Sequence, residues 1–380
     1  MDEQTQLKTV LVTGAEGFIG RNLIVHLRTH SKIRILTFDV ANTRDELWDA
    51  VQQCDFVFHL AGVNRPVLEQ HFVSGNSELT QYLIQLLQLT GRKIPLLISS
   101  STQATLENPY GHSKKIAEEH VFAYGRTNNV PVFVYRLPGV FGKWCRPNYN
   151  SVVATFCYNI SHQLPIQINN PEAVITLAYI DDVVRDFISA LTGEVQPHID
   201  GYCNVSRIFQ ISLQSLSDLL TSFHAVRKTG MLPNMDDLLT KFLYTTYLSY
   251  LETDDFAYSP DFKLDQRGWL FELIKSRSMG QIFISQTKPG VTRGMHYHHT
   301  KVEKFVVLQG EALIRFRHIG DAQGEVIQYP VSGQAIQIVD IPPGYTHDIT
   351  NIGTSDLITL FWACEIFDPN RPDTYMEKVQ

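Results

Sequence analysis

The sequence predicts two domains, an α/β domain with a doubly wound parallel sheet followed by an all-β barrel. Near the N-terminus an apolar run, residues 9–13, leads directly into three glycines spaced Gly14-x2-Gly17-x2-Gly20 and then into a helical pattern. Strand-like apolar runs and helical segments alternate through the first part of the chain, which is typical of βαβ units. From about Phe271, short strands are separated by Gly and Pro, as in antiparallel barrels.

Each domain has its own series of predicted elements. In the first, the strands are residues 9–13, 33–38, 56–60, 96–99 and 132–136, and the helices include residues 78–89 and 110–124. In the second, the strands are residues 281–285, 303–307, 312–317, 335–341 and 357–362. The boundary is placed at residues 247–254, before the Tyr258-Ser259-Pro260-Asp261 turn. We therefore predict domains at residues 1–248 and 254–380.

Composition and charge exclude several classes of protein. A net charge of -7 and the absence of long Lys/Arg runs argue against nucleic acid or an anionic membrane as the main partner. The N-terminus lacks the basic start and apolar core of a signal peptide, and no apolar run approaches the roughly 20 residues of a membrane span. The cysteines are odd in number and without a C-x-x-C pair, which favours reduced thiols: Cys54, Cys145, Cys157, Cys203 and Cys364. We expect a soluble, cytoplasmic protein.

The glycine-rich turn predicts a dinucleotide site of the Rossmann type. Glycines between a strand and a helix allow a tight turn and let a pyrophosphate approach the helix N-terminus. The predicted cofactor contacts here are Gly14, Gly17, Phe18, Ile19 and Gly20. Asp39, at the end of the second strand, can accept bonds from the adenosine ribose and repel a 2′-phosphate, which favours NADH. Arg44 nearby could pair with that phosphate instead, so NADPH stays open.

A second motif predicts proton transfer. Tyr110 and Lys114 are four residues apart on a predicted helix, so both side chains project from one face. The ammonium is expected to lower the pKa of the phenol and make Tyr110 a proton donor or acceptor near neutral pH. Together with Ser101, or Thr102 beside it, at the end of a strand, the pair predicts a catalytic site.

These features resemble the extended short-chain dehydrogenase/reductase family. The resemblance implies that Lys114 also holds the nicotinamide ribose, that Ser101 holds the substrate oxygen, and that Ala61 and Gly62 line the cofactor path. In this family the segment after the sixth strand, here Phe141–Asn148, binds the nucleotide part of the substrate. Lys143 and Arg146 are therefore expected to meet a diphosphate.

Two polar boxes lie in the second domain. They read Gly290-x5-His296-x-His298-x4-Glu303-x6-Gly310 and Pro342-x-Gly344-x2-His347-x3-Asn351. Together they resemble the two motifs of the cupin barrel, except for Ile336, where the second motif usually opens with Gly. The resemblance implies that four ligands converge on one point inside the barrel: His296, His298, Glu303 and His347. Such ligands suit one divalent first-row metal, with zinc as the first choice.

The order of the two domains resembles the bifunctional UDP-sugar reductase/epimerases of capsule and O-antigen synthesis, the CapF type. The segments that carry this resemblance are Ala61-Gly62-Val63-Asn64-Arg65-Pro66, Asn108-Pro109-Tyr110-Gly111, Phe141-Gly142-Lys143-Trp144-Cys145, His298-His299-Thr300-Lys301 and Phe367-Asp368-Pro369-Asn370. It implies substrate contacts at Asn64 and Arg65, NADPH as cofactor and a homodimer. It also implies C3 epimerisation and C4 reduction of a UDP-2-acetamido-2,6-dideoxy-4-hexulose, on the route to UDP-N-acetyl-L-fucosamine.

Three alternatives stay open. Residues 293–297 resemble a segment of dTDP-4-keto-sugar 3,5-epimerases, in which the histidine corresponding to His296 removes a proton instead of holding metal. The chain could also be a non-enzymatic nucleotide sensor, although sensors of this fold commonly lack the pair Tyr110 and Lys114. Finally, the cupin could be an iron oxygenase.

Overall fold

The computed structural model describes residues 7–65, 68, 70–196 and 201–380. The first residues, used above to argue against a signal peptide, and Pro66 lie outside the described residues. The chain divides into two compact units. One runs to Leu220 and takes in Thr245–Leu251, and the other comprises Thr221–Tyr244 and Glu252–Gln380. The ranges 1–248 and 254–380 stay a prediction of where independent domains begin and end.

The first unit contains a six-stranded parallel sheet in the order β2-β1-β3-β4-β5-β8. Its strands are β1 (Lys8–Thr13), β2 (Ile33–Phe38), β3 (Phe56–His59), β4 (Leu96–Ser101), β5 (Val132–Leu137) and β8 (Tyr202–Cys203). A small second sheet holds β6 (Gly139–Phe141), β7 (Val174–Tyr179) and β9 (Phe209–Ser212). The strand order reverses between β1 and β3, and in open α/β sheets ligands bind at the carboxyl ends of the strands at such a point.

The helices of the described chain follow the strands in alternation. They are α1 (Phe18–Leu27), α2 (Arg44–Gln53), α3 (Gln70–Phe72), α4 (Leu79–Leu89), α5 (Pro109–Asn128), α6 (Val152–Ser161), α7 (Ile180–Thr192), α8 (Leu213–Thr229) and α9 (Leu238–Leu248). A π-helical segment, Val73–Glu78, precedes α4, and a 3₁₀ segment, Thr102–Thr105, precedes α5. Apolar side chains of α2, α4 and α5 pack on the sheet around Leu11, Val57 and Leu96, all fully buried. The predicted α/β class is confirmed.

The second unit contains two facing antiparallel sheets. One has the order β10-β11-β12-β19-β14-β17 and the other β16-β15-β18-β13-β20. Their strands are β10 (Lys263–Asp265), β11 (Gly268–Ser276), β12 (Gly280–Thr287), β13 (Thr292–Tyr297), β14 (Glu303–Gln309), β15 (Glu311–His318), β16 (Ile327–Ser332), β17 (Ile338–Ile341), β18 (Tyr345–Asn351), β19 (Leu357–Ala363) and β20 (Tyr375–Met376). Phe305 and Phe361 of one sheet and Ile314 and Ile349 of the other form a shared core, which confirms the all-β, cupin-like domain.

Six strands in the described part of the second unit were not predicted, namely β10, β11, β13, β16, β18 and β20. Strands β13 and β18 pair with each other, and His296 lies directly opposite His347. Both are rich in polar residues, so the apolar pattern that indicates a strand is weak in them. A β-bulge interrupts the pairing between Gly294 and His296, and the extra residue, Met295, has φ +61°. Bulges of this kind are frequent beside functional sites. Among the described residues, no helix is both long and apolar enough to cross a membrane.

Candidate functional site

The turn between β1 and α1 has the features of a phosphate-binding loop. Gly14 has φ +69°, and a Cβ there would lie 2.6 Å from the backbone nitrogen of Ala61. A Cβ at Gly20 would overlap the carbonyl oxygen of Gly14. The α1 N-cap is Gly17, which supplies no side-chain cap, and the first turn has no acidic residue. Such a helix start offers unpaired backbone N–H groups to an anion.

This turn opens into a cavity of about 920 Å³ in the first unit. The cavity wall includes most of the predicted cofactor and catalytic residues, namely Gly14, Gly17, Phe18, Ile19, Gly20, Gly62, Ser101, Tyr110 and Lys114. It also includes Asn64, Arg65 and Arg146 of the predicted substrate set. Three other predicted residues, Asp39, Ala61 and Lys143, are not part of the wall that the described residues form.

Helix α5 places the Tyr–Lys pair. Its N-cap, Asn108, accepts a hydrogen bond from the backbone N–H of Gly111 at 2.7 Å, so the helix starts one residue before Tyr110. Lys114 lies one turn further on, is only 6% exposed, and donates from Nζ to the carbonyl oxygen of Ser99 at 3.2 Å. A Cβ at Gly62 would lie 3.0 Å from that Nζ, so the glycine leaves room for the ammonium.

The pKa values of Tyr110 and Lys114 differ from those that the sequence predicted. Burial raises the pKa of Tyr110, and a hydrogen bond to Ser101 opposes the rise only in part. Burial lowers the pKa of Lys114 to about 8, and the Glu118 carboxylate opposes that fall. The prediction that Lys114 lowers the pKa of Tyr110 is therefore wrong, because loss of water around the phenol is the larger effect. Lys114 is the group whose pKa lies near neutral pH.

A buried ionic cluster beneath this pair was missed by the sequence reasoning. Glu118, 1% exposed, accepts two hydrogen bonds from Arg136 at 2.9 and 2.6 Å and one from the Ser100 hydroxyl at 2.5 Å. The Tyr202 hydroxyl adds a fourth at 3.1 Å. Because Glu118 follows Lys114 by one helical turn, it ties the face of α5 that carries Lys114 to β4 and β5. The sequence offered one indication of this cluster, because Glu118 follows Lys114 by four residues on a predicted helix and so shares its face.

Asp39 lies beside the glycine-rich turn. One carboxylate oxygen accepts from the backbone N–H of Glu16 at 2.7 Å and the other from that of Val40 at 2.8 Å. Glu16 itself lines the cavity, so Asp39 is one hydrogen bond away from it. The Arg44 guanidinium, the alternative contact for a 2′-phosphate, is exposed and lies 4.8 Å from the centre of the Tyr82 ring.

The two cations after β6 have different surroundings. Lys143 Nζ donates to Asp181 at 2.6 Å, which accounts for its position outside the cavity wall. The Arg146 guanidinium lies 5.3 Å from the Tyr149 ring centre, and both residues line the cavity. Asn150 and Ser151 also line it and were not predicted, because polar residues in a loop carry no periodic signal.

The four predicted metal ligands come together in the second unit. One ligand atom from each residue, His296, His298, Glu303 and His347, lies within 4.8 Å of the corresponding atoms of the others. Glu303 Oε2 is 3.3 Å from His298 Nε2 and 3.5 Å from His347 Nε2. His296 is partly buried and the other three are buried. Strands β13, β14 and β18 thus supply a compact set of nitrogen and oxygen donors.

The hydrogen bonds of this cluster fit a bound cation. His298 Nδ1 is 2.6 Å from the carbonyl oxygen of Asp373, and a carbonyl can only accept, so Nδ1 carries the proton. Nε2, the other ring nitrogen, lies 3.3 Å from Glu303 Oε2. Among the described residues, both ring nitrogens of the fully buried His347 lack a hydrogen-bond partner. Buried polar atoms are almost always paired with protein, water or an ion, and a metal bound by the cluster would pair with one of these nitrogens.

The charges of the cluster are consistent with metal binding. Burial, with help from His347 and His298, lowers the pKa of His296 to about 4, so this ring is neutral at pH 7 and can coordinate or accept a proton. Burial raises the pKa of Glu303, but the His298 and His347 rings outweigh it and hold the carboxyl well below its usual range. Neutral imidazoles and an ionised carboxylate are the forms that bind divalent metals.

The two parts of the chain match two protein families. Residues 10–200 match the NAD dependent epimerase/dehydratase family, and residues 263–375 match the polysaccharide biosynthesis C-terminal domain. A UDP-glucuronic acid 4-epimerase from Bacillus cereus, solved with UDP-glucuronic acid and NAD, is 21% identical with a TM-score of 0.51. It covers 57% of this chain and 82% of its own, and it shows the fold of the first unit.

Two relatives match both domains. The UDP-2-acetamido-2,6-beta-L-arabino-hexul-4-ose reductase of Pseudomonas aeruginosa is 46% identical over 96% of this chain and 97% of its own. The crystal structure of the capsular polysaccharide assembling protein CapF from Staphylococcus aureus is 43% identical, with a TM-score of 0.90, over 97% of this chain and all of its own. The chain is thus an enzyme that belongs to the family of UDP-sugar reductase/epimerases of capsule and O-antigen synthesis.

Proposed function

We propose that this chain epimerises C3 and reduces C4 of a UDP-2-acetamido-2,6-dideoxy-4-hexulose. The product is UDP-2-acetamido-2,6-dideoxy-L-talose, one step before UDP-N-acetyl-L-fucosamine. The observation that carries the reduction is the cavity in which Ser101, Tyr110 and Lys114 lie together with the glycine-rich turn. Support for the substrate comes from the Pseudomonas relative, whose name describes a reductase of such a 4-keto sugar.

The first unit has the groups that C4 reduction needs. When bound, NADH or NADPH supplies the hydride that adds to C4. The unpaired N–H groups at the start of α1 hold the pyrophosphate, and Lys114 holds the nicotinamide ribose. Ser101 positions the ketone oxygen, and Tyr110 gives that oxygen its proton. Because burial raises the pKa of Tyr110, the phenol stays protonated at neutral pH and is ready to act as a donor.

The diphosphate of the substrate needs cations at the cavity wall. Arg65 and Arg146 line the cavity and are assigned to this role, with Asn64 beside them. Lys143 is engaged with Asp181, so we assign it to holding the loop after β6 rather than to direct contact. A guanidinium suits a phosphate because it can donate two parallel hydrogen bonds.

The second unit is assigned the C3 epimerisation. His296, His298, Glu303 and His347 would hold one divalent ion, with zinc as first choice. When bound, that ion supplies Lewis acidity that makes the hydrogen next to a ketone easier to remove. The protein must then remove the proton from C3 and return a proton to the opposite face of that carbon, and reduction of C4 follows. Two sites on one chain raise the local concentration of the keto intermediate for the second step.

His296 as the base at C3 is the second candidate for the barrel, because its pKa of about 4 keeps the ring unprotonated. A nucleotide sensor is disfavoured, since Tyr110 and Lys114 both face the cavity. The metal content of the purified protein separates coordination by His296 from proton transfer, and oxygen consumption tests the oxygenase alternative. A homodimer and a cytoplasmic location stay predictions.

Product analysis of the full-length chain tests the proposal. In deuterated water, Tyr110→Phe protein should exchange the C3 hydrogen of the 4-keto sugar without nicotinamide and accumulate the epimerised ketone, as read by NMR and mass spectrometry. Glu303→Gln protein should lose this exchange, because the ligand set is broken. Exchange at C5, or exchange that depends on Tyr110, would show that the assignment of C3 epimerisation to the barrel is wrong.

A further inference from the structure

Asp373, near the C-terminus, is hydrogen-bonded to the turn after β13 through both its carboxylate and its carbonyl oxygen. Its carboxylate accepts hydrogen bonds from the backbone N–H groups of His299, Thr300 and Lys301 at 3.0, 2.9 and 2.8 Å, and from the Thr300 hydroxyl at 3.0 Å. Its own carbonyl oxygen is the partner of His298 Nδ1 at 2.6 Å. One residue therefore fixes both the backbone of this turn and the ring of a proposed metal ligand.

The neighbours of Asp373 strengthen this attachment. Lys301 is 6% exposed, and its Nζ donates to the carbonyl oxygen of Pro372 at 3.1 Å and to the Thr374 hydroxyl at 2.9 Å. The segment Pro372–Thr374 is thus bound to the turn on both sides of Asp373. Burying an ammonium is costly unless it is hydrogen-bonded, so these contacts require a defined position of the segment.

The backbone of Asp373 is adapted to this double role. Its φ is +36°, in the left-handed region that few residues other than Gly, Asn and Asp adopt. This conformation directs the carbonyl to His298 while the carboxylate reaches the N–H groups of residues 299–301. A bond from the second ring nitrogen of a histidine ligand fixes its tautomer and orientation, and its loss weakens metal binding.

We propose that Asp373 is a positioning residue of the candidate metal centre, which sets the tautomer of His298 and holds its Nε2 next to Glu303 Oε2, 3.3 Å away, where both atoms would be available to a metal. This inference rests on the proposed function only in that the four ligands hold a divalent metal. Asp373 itself is not one of the four candidate ligands. It acts through its carbonyl on the ring of His298 and through its carboxylate on the turn that follows.

The test compares Asp373→Gly with Asp368→Gly in the full-length protein. Glycine at position 373 keeps the left-handed backbone and the carbonyl but removes the carboxylate. Asp368 is a control in the same C-terminal segment, and among the described residues its carboxylate bonds locally, to the backbone N–H of Asn370 and to Arg371. Zinc affinity is measured by competition with a fluorescent chelator, and the visible spectrum of the cobalt-substituted protein reports the ligand geometry. A third variant, Asp373→Asn, keeps one acceptor oxygen and guards against a folding failure.

Asp373→Gly should weaken zinc binding by up to about 10–100-fold, the usual range when the outer partner of a ligand is disturbed, and alter the cobalt spectrum. The reason is that without the carboxylate the segment no longer holds its carbonyl oxygen against His298 Nδ1. Asp373→Asn should lie between this variant and the wild type, and Asp368→Gly should match the wild type. The inference is overturned if Asp373→Gly and Asp373→Asn lower the melting temperature of the metal-free protein yet leave zinc affinity and the cobalt spectrum unchanged. Wild-type protein that binds no zinc would instead refute the proposed metal site itself.

Discussion

The reduction should lose activity as the pH rises through about 8, because Lys114 loses its proton there. Burial lowers the pKa of Lys114 to about 8, whereas burial raises that of Tyr110 above its ordinary value of 10.0. A base with pKa about 8 is about nine-tenths protonated at pH 7 and about one-tenth at pH 9. If the ammonium is required, kcat/KM should fall about tenfold over this range, while the phenol remains protonated.

Glu118→Gln should move this fall in activity to lower pH. The Glu118 carboxylate is the group that opposes the lowering of the Lys114 pKa, and an amide of the same shape carries no charge. Glu119→Gln is the matched control, since Glu119 is the next residue of α5 and is exposed. Both variants must first give wild-type circular dichroism, because removing one partner of a buried ion pair such as Glu118 and Arg136 typically costs about 3–5 kcal/mol.

The assay is the oxidation of NADH or NADPH by the 4-keto sugar, followed by absorbance from pH 6 to pH 10 at low substrate concentration. This condition reports the groups of the free enzyme. The reasoning would be refuted by a kcat/KM that stays level from pH 7 to pH 9. It would also fail if Glu118→Gln and Glu119→Gln shared one pH profile, because Glu118 would then have no influence on the titrating group.

Three further predictions concern single residues. Tyr110→Phe should reduce C4 reduction by about 10²–10⁴-fold with nicotinamide binding unchanged by fluorescence titration, and near wild-type turnover would exclude Tyr110 as the donor. NADH should be accepted at least as well as NADPH in steady-state kinetics, because Asp39 lies at the glycine-rich turn; a strong NADPH preference would contradict this. Burial lowers the pKa of His59 from 6.5 to about 3, so the stability it contributes is complete above pH 6.5 and is lost as the pH falls toward 3, by about 1.4 kcal/mol per unit. Urea unfolding at pH 7 and pH 5 should show a smaller loss in His59→Gln than in the wild type.

Local patterns accounted for much of the fold and of both candidate sites. The glycine spacing, Tyr110 with Lys114, and His296 with His298 each lie within one turn or one strand, so their geometry follows from the period of a helix or a strand. The barrel ligands from separate strands were identified through a family resemblance, and the structure brings them together.

What the sequence could not provide depends on contacts between distant segments. Lys143 was assigned to substrate, but its partner, Asp181, is far along the chain and nothing in the local pattern pairs them. The pKa of Tyr110 was misjudged for a related reason, since burial depends on packing around the whole site. Asp373 shows the same limit, because its hydrogen-bond partners at residues 298–301 precede it by more than 70 positions.

The room at Gly62 offers a way to recognise relatives that have kept this fold but lost reduction. A methyl group at that position would lie 3.0 Å from the Lys114 nitrogen and 2.9 Å from Asn76 Oδ1. The lysine end is flexible and can move aside, so a descendant with alanine there would still fold. Its ammonium, however, would be displaced from its hydrogen bond to the carbonyl oxygen of Ser99. The sequence of such a relative would still contain Tyr110 and Lys114. The residue at position 62 would then distinguish a relative without reductase activity from an active one.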